Sequence, residues 1–287
     1  MSKQCVARHS GVWCVEPSWF TTTLSDIRRG VYRQLSVEDA VNASAPPVGL
    51  TEDGIAVIKV DGPMMKGASK YGNVDSVAVR AAVRQLANMS EAKAIVLHID
   101  WPGGTFAGTD ELATDVVRAA SIKPVIAQIE DLGASAAYYV ASQATKVFAT
   151  KASGVGSIGT YAVVEDTSVA AEASGVKVHV VASGPHKGTL ADGVPITDET
   201  LAELRKRVGE INQFFLAAVQ KGRGLSAKQV GELADGRMWM ASEAMTLGLV
   251  DGVQNLDTTL AGIRSGWRSK ARMEQRNRRL ALSRLRG

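Results

Sequence analysis

Short apolar runs alternate along the chain with longer stretches in which apolar residues recur every three or four positions. The short runs predict β-strands at 55–60, 94–99, 124–129, 146–149, 161–164 and 176–181. The longer stretches predict helices at 74–89, 109–120, 134–142, 197–221, 226–234 and 241–247. Because most strand runs are almost continuously apolar, we expect a sheet that is buried on both faces, which indicates an α/β fold.

The turns that follow two of these strands carry residues suited to catalysis. In α/β sheets, active groups gather at the carboxyl ends of the strands. Asp100-Trp101-Pro102-Gly103-Gly104 follows the strand 94–99, and its glycines leave backbone N–H groups that can bind a developing oxyanion. Taken alone, a Pro-Gly-Gly sequence is more typical of an ordinary turn.

The second of these turns places Ser135 at the start of a predicted helix. Ser135 lies between Ala134 and Ala136, which are small enough to let another backbone approach its hydroxyl group. A helix N-terminus also favours a developing negative charge. Serine is a preferred N-cap residue as well, so this position alone indicates a nucleophile and a helix cap about equally.

Two further loops offer partners for a serine nucleophile. The loop Gly154-Val155-Gly156-Ser157-Ile158-Gly159 lacks the Gly-Lys-Ser/Thr ending of a phosphate-binding loop, and alone it is typical of a flexible turn. Lys187 follows the strand 176–181 in a loop with Gly and Pro. Such a lysine is normally solvated, but desolvation can lower a lysine pKa enough for the amine to act as a base. His186 is the alternative base.

Charge is unevenly distributed along the 287 residues. The net charge is +4, but residues 264–287 hold nine basic residues and one acidic residue, a net charge of +8, which leaves −4 for residues 1–263. The basic end is typical of a solvated tail, with contact to an acidic partner or to nucleic acid as the alternative. We find no signal peptide, no apolar run that could span a membrane and no metal-binding motif. We therefore expect no metal or other cofactor.

Taken together, the motifs resemble the signal peptide peptidase A family of Ser-Lys peptidases, including its bacteriophage branch of capsid-maturation proteases. Five segments carry the resemblance in order: Ile-Asp-Trp-Pro-Gly-Gly at 99–104, Gly-Ala-Ser-Ala-Ala-Tyr-Tyr at 133–139, Gly-Ser-Ile-Gly at 156–159, Ser-Gly-Pro-His-Lys at 183–187, and Gly-Arg-Met-Trp…Gly-Leu-Val-Asp spanning 236–251. The order and spacing of the five segments make the resemblance more specific than any one motif.

The resemblance implies a role for each matching residue. Ser135 is the expected nucleophile and Lys187 the expected base, while Ser157 would orient the lysine. The N–H groups of Gly103 or Gly104, together with that of Ser135, are the expected oxyanion donors.

This chain departs from the family pattern at two places. Trp101 stands where a serine usually precedes Pro-Gly-Gly, and Ala136-Ala137 stands where Gly-Gly usually follows the nucleophile. We expect Trp101, with Ala134 and Ala136, to line the substrate pocket.

The resemblance also implies the ClpP/crotonase-like α/β superfold, with repeated ββα-type units and C-terminal helices. We expect an N-terminal leader at 1–47, a Ser-Lys peptidase domain at 48–263 and a basic C-terminal tail at 264–287. Cellular members usually carry an N-terminal membrane anchor, and its absence here indicates the phage branch. The expected location is the host cytoplasm or the phage prohead.

The expected activity is that of a serine endopeptidase that processes capsid, scaffold or portal proteins as a homo-oligomer. Two alternatives remain open. One is a non-catalytic assembly or scaffold protein, although an inactive relative would be expected to have lost Ser135 or Lys187. The other is a crotonase-like acyl-CoA enzyme, whose chemistry usually relies on carboxylates; near the proposed site only Asp100, Glu130 and Asp131 supply them.

Overall fold

A computed structural model describes residues 12–29, 35–67, 73–266 and Met273. Its strands are β1 (Trp13–Val15), β2 (Val48–Leu50), β3 (Ile55–Asp61), β4 (Met64–Met65), β5 (Val74–Asp75), β6 (Ala94–Trp101), β7 (Gly103–Thr105), β8 (Val125–Ala134), β9 (Lys146–Ala149), β10 (Gly154–Gly156), β11 (Met238–Met240) and β12 (Gly252–Val253). Its helices are α1 (Pro17–Arg29), α2 (Val37–Ser44), α3 (Ser76–Asn88), α4 (Thr109–Ile122), α5 (Ala136–Ala141), α6 (Ser168–Ala173), α7 (Asp198–Arg223), α8 (Ala227–Leu233), α9 (Ala241–Thr246) and α10 (256–266).

The larger sheet has the strand order β11-β10-β8-β6-β3-β2, and β9 pairs with the first half of β8. Strands β3, β6, β8, β9 and β10 run parallel, whereas β2 and β11 are antiparallel edge strands. Parallel neighbours need crossover connections, which contain α3 between β3 and β6 and α4 between β6 and β8. The predicted α/β fold class is confirmed.

Strand β6 shows why its sequence is almost continuously apolar. Ile95, Leu97 and Ile99 belong to the main core, which also contains residues of α3, α4 and α5. Val96 belongs to a second cluster, against which Leu260 of α10 packs. Because successive strand residues point to opposite faces, these two clusters bury both faces of the strand.

A smaller sheet, in the order β1-β7-β4-β5, joins the N-terminal segment to the rest of the chain. Strand β1 is antiparallel to β7, with Cys14 opposite Gly104, and β4 runs parallel to β7 on its other side. The division into a leader at 1–47 and a peptidase domain at 48–263 stays a prediction. The leader nevertheless forms its strand contacts with residues assigned to the peptidase domain.

The predicted strands at 161–164 and 176–181 are wrong. Tyr161 forms a single bridge with Trp13, and residues 176–181 pair with no strand in the described ranges. The alternating valines of this segment are typical of a half-buried strand, but a strand also needs a partner edge, which a local pattern does not supply. Val181 is 98% exposed, as expected for a segment that no other element covers.

A lysine amine completes the end of helix α3. Lys123 Nζ donates hydrogen bonds to the carbonyl oxygens of Leu86, Met89 and Ala92 at 2.9, 2.7 and 2.5 Å. The last carbonyl groups of a helix have no intrahelical partner, and a nearby cation is a favourable one. Lys123 therefore ties α3 and the segment after it to the start of β8.

We predict that Lys123→Met lowers the free energy of unfolding by about 2–3 kcal/mol, because three carbonyl groups lose a charged donor while the aliphatic chain is kept. Urea denaturation followed by circular dichroism measures the change. Lys151→Met, at an exposed position, is the matched control and should stay within about 0.5 kcal/mol of the unmodified chain. Equal unfolding midpoints for the two variants would contradict the structural role of Lys123.

Candidate active site

Ser135 stands between β8 and α5 in a strained backbone conformation, with φ of 56° and ψ of −118°. Such a conformation costs about 1–3 kcal/mol and persists only where the surroundings enforce it, commonly at active sites. The surroundings are tight here, because Ala134 and Ala136 are fully buried and a Cβ atom on Gly133 would lie 2.5 Å from Ile129 Cδ1. The Ser135 side chain makes no capping hydrogen bond to α5, which disfavours the interpretation as a helix cap.

Ser157 lies in the neighbouring loop and also has a positive φ, of 51°. Ser135 and Ser157 are the non-glycine residues with positive φ in the described ranges. Strand β10 pairs in parallel with β8, so that Gly156 lies opposite Ala134 and its carbonyl oxygen accepts a 2.7 Å hydrogen bond from the Ser135 N–H group. The structure therefore brings together the two serines that the sequence singled out.

Both serines are closed off from solvent. Ser135 is 1% exposed and Ser157 is 4% exposed. The Ser157 N–H group donates to the carbonyl oxygen of Arg237 at 2.8 Å, which holds this loop against the segment leading into β11.

Gly103 and Gly104 lie in β7, between β1 and β4. A Cβ atom on Gly103 would lie 2.1 Å from the carbonyl oxygen of Cys14, and one on Gly104 would lie 1.8 Å from that of Met64. Real Cβ atoms do not approach backbone oxygens so closely, so the three strands can pack in this way only around glycine.

Trp101 does not line an open surface in this structure. The residue is fully buried in the main core, and its indole Nε1 donates a hydrogen bond to the carbonyl oxygen of Gly103 at 2.5 Å. Its position differs from the expected substrate pocket because a large apolar ring at the end of β6 gains more from burial in the adjoining core. The buried Trp101 side chain thus stabilises the Pro102-Gly103 turn through its hydrogen bond to Gly103.

The Ser135 N–H group is not free to bind an oxyanion in this structure, because it donates to Gly156. The next N–H group, that of Ala136, is the first of α5. The first N–H groups of a helix have no intrahelical acceptor. Ala136 therefore carries, at this turn, an N–H group without an intrahelical acceptor.

Lys187 lies in an exposed loop, and no hydrogen bond joins it to Ser135 among the residues that the structure describes. Its side chain lines an open pocket of about 420 Å³ formed by the segment 180–194, and its N–H group donates to the Gly184 carbonyl oxygen at 3.2 Å. None of residues 161–197 is buried. Among the described residues, the structure shows no contact between the expected base and the expected nucleophile, and Tyr161 is the residue of this segment that packs against a core cluster.

Sequence reasoning missed the contribution of the leader to this region. Trp13 exchanges hydrogen bonds with Tyr161 at 2.8 and 3.1 Å, and the Glu16 N–H group donates to the carbonyl oxygen of Pro102 at 2.7 Å. Strand β1 thus lies between β7 on one side and Tyr161, shortly after the loop that contains Ser157, on the other. The signal was the apolar triplet 13–15 directly before Glu-Pro, which predicts a short strand followed by a helix start.

Carboxylates at the strand ends form a separate polar group. Burial, with the nearby charges of Asp131 and Asp61, raises the pKa of Asp100, and His98 Nε2 lies 3.0 Å from Glu130 Oε2. No group of three or more His, Cys, Asp or Glu residues in the described ranges is placed to hold a metal ion. Within those same ranges, no helix is long and apolar enough to cross a membrane.

Comparison with known proteins identifies the family. A family model described as peptidase family S49 matches residues 118–267, which is slightly more than half of the chain. The chain belongs to peptidase family S49. The predicted relationship to signal peptide peptidase A is thereby confirmed, since relatives of this S49 member include a protein of Enterococcus faecium named putative signal peptide peptidase SppA.

Three relatives of the S49 chain, from two bacteria and a phage, show the extent of the similarity. Slr0021 of Synechocystis sp. is 30% identical over 203 residues, which cover 70% of each protein. Capsid assembly protease C of Escherichia phage lambda is 30% identical over 210 residues, which cover 71% of this chain and 47% of that protein. Protease 4 of Salmonella typhi is 27% identical over 235 residues, which cover 80% of this chain and 37% of that protein. The S49 chain therefore spans less than half the length of the last two.

Solved structures with a similar arrangement include both peptidases and acyl-CoA enzymes. The membrane-bound stomatin-specific protease 1510-N, solved with a substrate peptide, has a TM-score of 0.45 and 15% identity over 74% of this chain and 80% of that chain. An enoyl-CoA hydratase/isomerase family member has a TM-score of 0.46 and 12% identity over 79% of this chain and 76% of that chain.

We predict that Gly104→Ala destabilises the S49 chain by about 1–3 kcal/mol and removes its peptidase activity, because the new Cβ atom must push β4 away from β7. Thermal denaturation and a peptide-cleavage assay measure the two effects. Gly49→Ala is the matched control, since no atom lies within 4 Å of the added Cβ atom there. A Gly104→Ala variant as stable and as active as Gly49→Ala would refute the tight packing described for β7.

Proposed function

We propose that this S49 family member is a serine endopeptidase with Ser135 as its nucleophile. The observation that carries the proposal is the strained turn at Ser135, which makes no capping bond and lies beside the Ser157 loop. A helix cap would be satisfied by an ordinary extended conformation. A nucleophile, in contrast, gains from a turn that lifts its hydroxyl away from the strand and next to free N–H groups.

Lys187 is the proposed base, and it has to approach Ser135 from its position in this structure. We propose that assembly into a homo-oligomer orders the segment 161–197 and brings a Lys187 amine, from the same or a neighbouring copy, to the nucleophile. The exposed side chains of Val176, Val180 and Val181 support this, because apolar side chains grouped on one segment are commonly covered in an assembly.

In the proposed reaction, the neutral Lys187 amine takes the Ser135 Oγ proton as the oxygen attacks a peptide carbonyl carbon. The N–H groups of Ala136 and of Gly103 or Gly104 stabilise the resulting oxyanion. The lysine ammonium then gives its proton to the leaving amine, and water hydrolyses the acyl-enzyme. The Ser157 hydroxyl group accepts a hydrogen bond from Lys187 and holds the amine in position.

Capsid, scaffold or portal proteins are the proposed substrates, and the host cytoplasm or prohead the proposed location. Support comes from the relative named capsid assembly protease C in phage lambda. The basic tail at 264–287 falls mostly outside the described residues, and its proposed contact with an acidic partner or nucleic acid rests on charge alone. Arg264 at its start pairs with Asp53.

The alternatives find less support. A protein that only assembles or scaffolds would not need the strain at Ser135 and Ser157, which costs stability. An acyl-CoA enzyme would need a carboxylate beside the oxyanion donors, yet Asp100 lies within β6, paired with Asp61 of β3, and its carboxylate is near those of Asp61 and Asp131.

We predict that Ser135→Ala and Lys187→Met each lower kcat/KM by about 10⁴-fold or more, because each removes a partner that bond cleavage requires. The measurement is mass spectrometry of the products formed when each variant is incubated with the capsid or scaffold protein proposed as its substrate. Lys177→Met, another exposed lysine of the same segment, is the matched control and should keep full activity.

His186→Ala tests the alternative base, and activity within about threefold of the unmodified chain is expected. Loss of cleavage in His186→Ala with retention in Lys187→Met would transfer the base to His186. Equal cleavage by all variants would rule out the Ser-Lys pair, and absence of cleavage by every form, also in assembled capsids, would favour the scaffold function.

A further inference from the structure

An open pocket of about 450 Å³ lies between the leader helix α1 and the edge of the larger sheet. It is lined by Glu16, Ser18, Trp19, Thr22, Leu132 and Met238. The leader supplies four of these residues, and strands β8 and β11 supply the other two. The pocket is therefore formed jointly by the leader and by the sheet edge that carries Ser135.

A glycine beneath the pocket allows its floor to form. A Cβ atom on Gly154 would lie 2.7 Å from Met238 Cε and 3.6 Å from Leu132 Cδ1. The absence of a side chain at Gly154 thus lets the Met238 and Leu132 side chains lie side by side over β10. The result is an apolar floor, with Trp19 as an apolar wall above it.

The pocket lies close enough to the nucleophile to hold part of the same peptide. Leu132 precedes Ser135 by three positions, and Ala134 lies next to the nucleophile on the same strand. Since a strand rises about 3.3 Å per residue, Leu132 lies about 10 Å from Ser135, a distance that two or three residues of an extended peptide cover.

A carboxylate completes the lining. Glu16 accepts hydrogen bonds from the Ser18 and Trp19 N–H groups at 3.1 and 2.7 Å and from the Ser18 hydroxyl group at 2.6 Å. Burial acts to raise the pKa of Glu16, but these hydrogen bonds outweigh it and the pKa is lowered. Glu16 is therefore ionised at neutral pH in a fixed position.

No basic side chain of the described residues lies within 4 Å of this carboxylate as an ion-pair partner. Arg237, the residue before Met238, pairs instead with Asp235 and stacks over the Trp239 ring at 5.0 Å. The pocket thus combines apolar walls with one negative charge that no cation of the described chain neutralises. Lysine and arginine have the matching shape, an aliphatic stem with a charged end.

We propose that this pocket binds a lysine or arginine side chain of the peptide substrate, two or three residues from the cleaved bond, and that Glu16 determines this specificity. The stem of the side chain lies on Leu132 and Met238, and its cation meets the Glu16 carboxylate beside the Trp19 ring. The inference rests on the proposed peptidase function, with Ser135 as the nucleophile.

The test uses the full chain and peptide libraries that carry, at one position at a time, lysine or norleucine, which has nearly the same stem without the charge. Mass spectrometry of the product ends identifies the position, and kcat/KM is measured for the matched pair. The unmodified chain should cleave the lysine peptide about 10- to 100-fold faster at one position two or three residues from the cut. Equal rates at every position would overturn the proposal while leaving the peptidase function intact.

Glu16→Gln keeps the size of the side chain and removes its charge; its single amide oxygen replaces one of the two carboxylate oxygens that accept the Ser18 and Trp19 N–H groups. The variant should bring the lysine/norleucine ratio of kcat/KM close to 1. Glu52→Gln, at an exposed glutamate outside the pocket, is the control and should keep the full ratio. A preference for lysine that survives in Glu16→Gln would overturn the assignment of Glu16.

Thr22→Lys is a second variant, which covers the case in which Glu16→Gln fails to fold. Thr22 is exposed on α1, so the substitution is tolerated sterically and places a resident cation at the pocket. The preference for lysine should fall at least several-fold, and an unchanged preference would count against the pocket.

If no peptide is cleaved, the proposed peptidase function is wrong. A measurement of peptide binding then tests separately whether the pocket recognises lysine. Fluorescence anisotropy of the labelled peptides on Ser135→Ala then measures affinity without chemistry. Tighter binding of the lysine peptides, lost when Glu16→Gln is added, supports the pocket, and equal binding of lysine and norleucine peptides overturns it.

Discussion

The hydrogen bond from the Ser135 N–H group to the Gly156 carbonyl oxygen joins the two loops on which the proposed chemistry depends. This hydrogen bond extends the parallel pairing of β8 with β10 by one residue. Beyond it, the backbone that follows each strand leaves the sheet with a positive φ, at Ser135 and at Ser157. A buried N–H group needs an acceptor, so this bond is also what keeps the strained turn in place. Because this bond occupies the Ser135 N–H group, the proposed oxyanion donors are the N–H groups of Ala136 and of the β7 glycines.

The same site depends on how closely the leader approaches it. Strand β1 packs on β7 because Gly103 and Gly104 carry no side chain, and the Glu16 N–H group then bonds to the Pro102 carbonyl oxygen. One short segment thus stabilises the turn that presents oxyanion donors and continues into the helix that covers the pocket beside Leu132. The proposed catalytic geometry and the proposed substrate preference therefore both depend on contacts that the leader makes.

Much of the fold could be predicted from the sequence. Strands such as β3, β6 and β8 are buried on both faces, and their sequences are therefore almost continuously apolar. The segment 176–181 has a comparable pattern and forms no strand, since strand formation also needs a partner edge. Ser135 and Ser157 were recognisable from the small residues around them, which a close backbone approach requires. The position of Lys187 was not, because no buried residue of its segment connects it to the core.

The sequence by itself determined the α/β fold class, the strands that are buried on both faces, and the small residues around Ser135 and Ser157. These features follow from steric limits and burial patterns that act over a few neighbouring residues. Only the tertiary structure decided that Trp101 is buried in the core, that the Ser135 N–H group is taken by Gly156, and that the leader forms a pocket with the sheet edge. Each of these depends on which distant segments meet in space, and a local pattern does not contain that information.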